Sequence, residues 1–368
     1  MGIMDKLKKN SKIKSAAIMS ESSVFKNQEM VTTSIPLVNI ALSGALTGGI
    51  TAGLTTLAGP SKHFKTNFAL FMAAAYLAKY DDAALIFYDC EYGSPQSYFD
   101  KFGIDMSRVF HTPILDIEEM KNDISNQLDG ISKSDKVIIV IDSIGNMASK
   151  KETEDAMEGK SVTDMTRAKQ LKSLFRIVTP HLKLKQIPLI AINHTYQTQE
   201  MYSKAVVSGG TGIYYSSDNI WIIGRQQNKT GTEVTGYNFV INIEKSRFVR
   251  EKAKLPVEVS WENGIDKYSG LLEIASAGNF IHKGKKGKAI GYSHMNYETG
   301  EVDESAVYYA RETKNDQFWK PVLENPAFAN FVFQQFSVDG EQMVDFSDIV
   351  EGVDDIDFVK IEEETDDD

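Results

Sequence analysis

One cysteine, Cys90, in 368 residues excludes an internal disulfide. The six histidines are scattered, without C-x-x-C or H-x-x-x-H spacing, so the sequence carries no zinc or iron signature. No apolar run reaches the ~18 residues of a membrane helix. The opening MGIMDKLKKNSKIK leads into the mixed SAAIMSESSVF in place of a signal peptide's apolar core, and Lys6 stands where a myristoylation signal needs Ser or Thr. These absences predict a reduced, cytoplasmic protein with no membrane partner.

Positive charge is also in short supply, and a net charge of −11 argues against nucleic acid as a partner. The deficit is local. Residues 339–368 hold fourteen acidic side chains and one lysine, and with that −13 set aside the other residues carry +2. Like charges at that density do not condense into a core, although Val344, Phe346, Ile349, Val353, Ile356 and Phe358 leave room for a segment that folds on a partner. The tail is therefore read as a separate element. It either keeps the chain soluble or competes with DNA for cations of the body.

What is plentiful is apolar residue, 42% of the chain, enough for a large core. From about residue 54 to 260, short β-rich runs alternate with helical stretches: LTTLAG, LIFYDC, KVIIVIDS, IPLIAIN, NIWIIG, NFVINIE and PVEVSW. Near-continuous apolar runs of this length suit strands buried on both faces, and KTNFALFMAAAYLAKY suits a crossover helix. The pattern predicts a doubly wound α/β core with a mostly parallel central sheet. A basic segment, 1–30, precedes the core at 31–270, and the aromatic-rich residues 271–338 form a small C-terminal domain before the acidic tail.

LTTLAGPSKHFKTNFALFMAAAY reads as strand, loop and helix, the context of a phosphate-binding loop. Gly59, Pro60, Ser61, Lys62, His63 and Phe64 would form the loop, whose backbone N–H groups, all but the one Pro60 lacks, would cradle phosphate oxygens together with the helix N-terminus. Lys65 would neutralise the β- and γ-phosphates and Thr66 would ligate Mg²⁺. Phe64 departs from the pattern, because a glycine normally stands there to permit an unusual backbone. KVIIVIDS ends in Asp142, placed to act beside Mg²⁺ as a Walker B acid, or simply to cap the next turn. LIFYDCE ends in Glu91 at a neighbouring strand's carboxyl edge, suited to activating a water or to an edge ion pair.

Order and spacing make the combination specific. Gly59…Lys65-Thr66, Asp89-Cys90-Glu91, Asp142-Ser143 and IAINHT with His194 follow the order of the RecA-type ATPase core. LVNIALSGALTGGI, DSIGNMASKKETEDA, VTDMTRAKQLKSLFRIVTP, AINHTYQTQEM, GGTG and EKSRFVREK resemble the UvsX-type recombinases of T-even phages within the RecA family. The resemblance spans most of the chain and makes a bulky residue at Phe64 a trait of that branch. It implies ATP and Mg²⁺ as cofactors, Lys65 and Thr66 as their ligands, Glu91 as catalytic base and His194 as γ-phosphate sensor. The wider family usually has Gln at the sensor position. Tyr98 matches an aromatic that stacks on adenine, though a tyrosine on a helix's core face reads the same. Lys245 and Arg247 alternate on one strand face, and the resemblance makes them fingers reaching the neighbouring protomer's γ-phosphate.

DNA contacts fall in two segments read as long irregular loops, 148–169 and 195–215. Lys150, Lys151, Arg167 and Lys169 would meet phosphates, as would N–H groups at Gly209 and Gly210, and Met165 or Val206 would wedge between bases. HKGKKGK, 282–288, either guides duplex DNA or is a solvated hairpin tip. The implied function is an ATP-dependent recombinase that forms filaments on single-stranded DNA, pairs it with homologous duplex and takes single-strand-binding and mediator proteins as partners. A hexameric helicase is disfavoured because no further domain is legible before residue 31. The full set of Lys65, Glu91, Asp142, Lys245 and Arg247 disfavours a non-catalytic adaptor.

Overall fold

The computed structural model describes residues 2–13, 15–22, 29–159, 166–197 and 205–340. The strands are β1 (Gly53–Ala58), β2 (Ala84–Asp89), β3 (Val109–Pro113), β4 (Val137–Asp142), β5 (Pro188–Asn193), β6 (Thr195–Gln197) and β7 (Ala205–Val207). They continue with β8 (Asn219–Thr230), β9 (Glu233–Ser246), β10 (Lys254–Ser260), β11 (Gly264–Ile265), β12 (Ile281–Lys286) and β13 (Ala289–His294). The helices are α1 (Ile3–Asn10), α2 (Pro36–Ser43), α3 (Lys65–Lys79), α4 (Gln96–Lys101), α5 (Ile117–Gly130) and α6 (Lys150–Met157). After them come α7 (Thr166–Lys185), α8 (Thr211–Ser216), α9 (Leu271–Ala277), α10 (Asp316–Leu323) and α11 (Pro326–Phe336). Among the described residues, no helix is long and apolar enough to cross a membrane.

Nine strands form one sheet in the order β11-β10-β9-β8-β1-β5-β4-β2-β3. From β3 to β8 every pairing is parallel, and β8 to β11 continue as an antiparallel arm. Burial of both faces explains why β1, β4 and β5 read as near-continuous apolar runs, all six residues of each being buried. Leu57, Leu85, Phe87, Ile138, Val140, Ile190 and Ile192 face α2 and α3, whereas Leu54, Ile86, Tyr88, Ile139, Ile141 and Leu189 face α5 and α7. The first of these clusters runs on into α9, α10 and α11 through Leu271, Trp319 and Phe328.

Every run read as a strand is one, and β3, with its mixed polarity, is an addition. The two segments read as irregular loops carry more structure than expected. Ser149 Oγ accepts from the Glu152 N–H at 3.1 Å while Glu152 accepts from the Ser149 N–H at 3.4 Å, a capping box that starts α6. The S-x-x-E spacing of SKKE was the overlooked signal. In the second segment, β6 pairs with β7 and α8 follows. The basic run lies on the β12–β13 hairpin, whose turn holds Gly287 at φ 64, and Lys286 pairs there with Glu312 at 2.8 Å.

Candidate active site

The carboxyl ends of β1, β2, β4 and β5 meet at one edge, where ligands bind in open α/β sheets. At the end of β1, Gly59 turns with φ 154, and a Cβ there would stand 3.0 Å from the Ile223 carbonyl of β8. Pro60, Ser61 and Lys62 are exposed, and Lys65 opens α3 as a buried side chain. Phe64 caps α3 in the left-handed region, φ 64 and ψ 13, the conformation for which the usual glycine is chosen. Its ring turns away from the loop. It stacks on Phe239 with centroids 4.7 Å apart and meets Phe68 edge-on at 5.4 Å.

Left-handed backbone costs a non-glycine residue ~1–2 kcal/mol, and the aromatic contacts offset it. Phe64→Ala keeps the backbone strain and loses the ring, so it should destabilise the chain by about 2–3 kcal/mol, less than a fully buried Phe→Ala because the site is half-buried. Phe64→Gly loses the ring but relieves the strain, and its urea midpoint should fall between those of Phe64→Ala and the parent. Equal midpoints for the two variants would show that the strained backbone plays no part.

Lys65 Nζ donates to the carbonyls of Gly59 at 2.9 Å and Pro60 at 2.7 Å, which ties the ammonium to the loop. Thr66 Oγ1 donates to Asp142 Oδ2 at 2.9 Å, and Ser94 Oγ to the same oxygen at 3.3 Å. Burial pushes the Asp142 carboxyl up to about 6, against the pull of those two hydroxyls. Burial, with the charges of Arg225 and Lys65, pushes His63 down to about 4, so its ring is neutral at pH 7. A hydroxyl, a buried carboxylate and a fixed ammonium side by side fit an Mg²⁺–polyphosphate, the ion drawing its other ligands from phosphate and water.

Glu91 stands beside this group. Asp89 of β2 lies in register with Asp142 of β4, and Asp89 Oδ1 accepts from the N–H groups of Glu91 at 3.3 Å and Tyr92 at 2.7 Å, fixing the turn that presents Glu91. Glu91 Oε1 is 3.1 Å from His194 Nε2 and also accepts from the Ser143 hydroxyl. The His194 contact holds the Glu91 carboxyl below its ordinary range, burial opposing it and Ser143 assisting. His194 follows Asn193, which pairs with Ala58 across the sheet. A Cβ on Gly145 would fall 2.3 Å from His194 Cδ2, so only glycine lets the imidazole sit there. Asn193 donates to the Ser208 carbonyl at 2.6 Å, and the Ser208 N–H to that of His194 at 2.9 Å, tying His194 to the base of the second loop. Ser143, Ser94 and Gly145 have no signature in the sequence, since a hydroxyl or a bare backbone carries no motif of its own.

Lys245 and Arg247 are not at this edge. Arg247 neighbours Asp218, whose N–H donates to the Leu54 carbonyl near the start of β1, about 17 Å of strand from Gly59. A bulge at Glu244 precedes the pair, Ile220 facing Lys245 and Trp221 facing Ile243. Lys245 Nζ donates to the Tyr214 carbonyl at 2.6 Å, and Arg247 remains largely exposed.

Tyr98, on α4, is half-buried against the core, with the Lys101 ammonium 5.5 Å above its ring. Lys150, Lys151 and Lys169 are exposed on α6 and α7. Arg167 corrects the expectation of a free phosphate-binding cation. Its guanidinium donates to the carbonyls of Ile144 at 3.0 Å, Gly145 at 2.9 Å and Met147 at 2.8 Å, bracing the loop after β4. Val206 lies on β7, and Gly209 and Gly210 turn with φ 99 and 74 into α8. Met165 lies outside the described residues.

Residues 4–266 match the RecA N-terminal domain, and residues 268–332 match the C-terminal domain of the bacteriophage T4 recombination and repair protein. The chain is 47% identical over 347 residues to the recombination and repair protein of Enterobacteria phage T4, covering 93% of this chain and 88% of that protein. Protein RecA of Thermus aquaticus is 26% identical over 284 residues, 76% of this chain and 80% of that protein. Protein RecA of Aquifex aeolicus is 25% identical over 302 residues, 80% and 83% respectively. The nucleotide-loop order, the sheet that carries it and these two adjoining matches have one reading: the chain belongs to the RecA family.

Proposed function

We propose that this chain is an ATP-dependent recombinase that polymerises on single-stranded DNA, pairs it with homologous duplex and exchanges strands in the cytoplasm of a host cell. The observation that carries the reading is the split of one hydrolytic set between two edges of the sheet. Lys65, Thr66, Asp142 and Glu91 share one edge, and Lys245 and Arg247 sit at the other, so a complete centre needs two protomers.

Bound ATP supplies the γ-phosphoryl group, and Mg²⁺ spreads its charge. Lys65 holds the phosphate tail, while Thr66 and Asp142 present oxygens to the ion. Glu91 accepts a proton from the attacking water, and Ser143 and His194 orient its carboxylate. His194 senses the γ-phosphate and passes its position to the second loop through Ser208. Tyr98 stacks on the base. Lys245 and Arg247 of the neighbouring protomer stabilise charge on the transferring phosphoryl group.

Lys150, Lys151, Lys169, Val206 and the amides of Gly209 and Gly210 contact single-stranded DNA without sequence preference. Residues 1–30 serve assembly, residues 31–270 are the ATPase core, and residues 271–338 with Lys283, Lys285 and Lys288 guide the duplex. Single-strand-binding and mediator proteins load the filament. Negative-stain images of the protein with single-stranded DNA and a non-hydrolysable ATP analogue should show open helical filaments. Closed six-membered rings would favour a helicase and sink the proposal.

A further inference from the structure

The finger-bearing edge holds one feature that the phosphate chemistry does not call for, a carboxylate beneath the arginine. Asp218 is 2% exposed, between the end of α8 and the start of β8. Its Oδ2 accepts from the Leu54 N–H at 3.1 Å and lies 2.8 Å from Lys183 Nζ at the end of α7. Its Oδ1 lies 2.8 Å from Arg247 Nε, and its carbonyl accepts from the Arg247 N–H at 3.0 Å. The site is built to hold this side chain, since a Cβ on Gly53 would fall 2.0 Å from Asp218 Oδ2.

The Nε–Oδ1 approach is an ion pair without a hydrogen bond, Oδ1 having no hydrogen-bond partner among the described residues, and it leaves both terminal nitrogens of the 61% exposed Arg247 side chain for another partner. A carboxylate alone would cancel the charge a finger needs. Here Lys183 offsets it, so Asp218, Lys183 and Arg247 together keep one net positive charge at the tip. A long side chain on an exposed strand end otherwise loses rotamer entropy each time it engages a phosphate.

We propose that Asp218 is a positioning residue for hydrolysis, holding Arg247 extended toward the next protomer's nucleotide, with Lys183 preserving the finger's charge. The proposal rests on Arg247 acting across the interface. Its signature is that damage at Asp218 lowers turnover on the neighbouring protomer and leaves its own nucleotide loop competent.

Asp218→Asn keeps an oxygen for the Leu54 N–H and removes the charge. In the full-length protein on single-stranded DNA, kcat for ATP should fall roughly 10–100-fold, the scale of a misplaced catalytic group, with KM for ATP little changed. Lys183→Met should lower kcat in the same direction by leaving Asp218 to quench the finger.

The deciding measurement mixes protomers. Co-assembled with Lys65→Ala protein, whose fingers are intact, Asp218→Asn protein should regain turnover above the sum of the separate rates, because its sound nucleotide loops then face sound fingers. Absence of that gain, in a preparation where Arg247→Ala does complement Lys65→Ala, overturns the role of Asp218 and leaves it a structural carboxylate. Failure of Arg247→Ala itself to complement would instead remove the finger reading beneath it.

Discussion

Filaments assembled from Lys65→Ala chains mixed with chains carrying both Lys245→Ala and Arg247→Ala should hydrolyse ATP faster than the two chains do separately. Each variant alone loses one half of every centre. Cationic fingers contribute on the order of 10³–10⁵ to phosphoryl-transfer rates, so the double variant should be nearly silent, as should a loop without its lysine. In the mixture, some interfaces pair an intact loop from one chain with intact fingers from the other. The proposed division follows from where the two groups lie. Arg247 is tied to Asp218 beside the start of β1, and Gly59 follows the end of the same strand, a separation of about 17 Å that an arginine side chain does not span. Rates strictly additive in the two components would show that hydrolysis is completed within one chain.

The contrast between the two edges explains what was legible in the sequence. The nucleotide edge is written locally. Gly59, Lys65 and Thr66 follow one strand, Glu91 lies on the turn just past a second, Asp142 closes a third, and a buried parallel strand announces itself as an apolar run with its functional residue at or just past its end. Phe64 reads as a departure from the loop pattern because the signal for a positive φ is normally glycine. Its compensation, Phe239, lies far along the chain on β9 and is joined only by packing. Arg167 was misjudged for a related reason, since a cation in a polar stretch reads as solvent-facing until the carbonyls of Ile144, Gly145 and Met147 are brought beneath it. The cluster of Asp218, Lys183 and Leu54 draws on three elements with no motif among them. Only the fold assembles it.

Glu91→Gln should leave ATP and single-stranded DNA binding intact and lower kcat by roughly 10²–10⁴, the range of general-base assistance. The amide is isosteric and still accepts from Ser143, but it takes no proton from water. Filaments on DNA should then outlast those of the parent protein, because release follows hydrolysis. The acid limb of kcat tests the same residue from another side. A catalytic base must be ionised, and Glu91 is held below the ordinary glutamate range chiefly by His194, with Ser143 assisting and burial opposing. The Glu91 limb in the parent should therefore lie below the usual carboxylate range, distinct from any limb near 6 set by the buried Asp142. His194→Ala removes the largest stabiliser of the charged form and leaves burial in place, so the limb should move to higher pH as well as lowering the plateau. Double variants separate the two effects, since with Glu91→Gln in the background His194→Ala should no longer move the limb. Wild-type turnover in Glu91→Gln on single-stranded DNA would assign the base elsewhere at this edge.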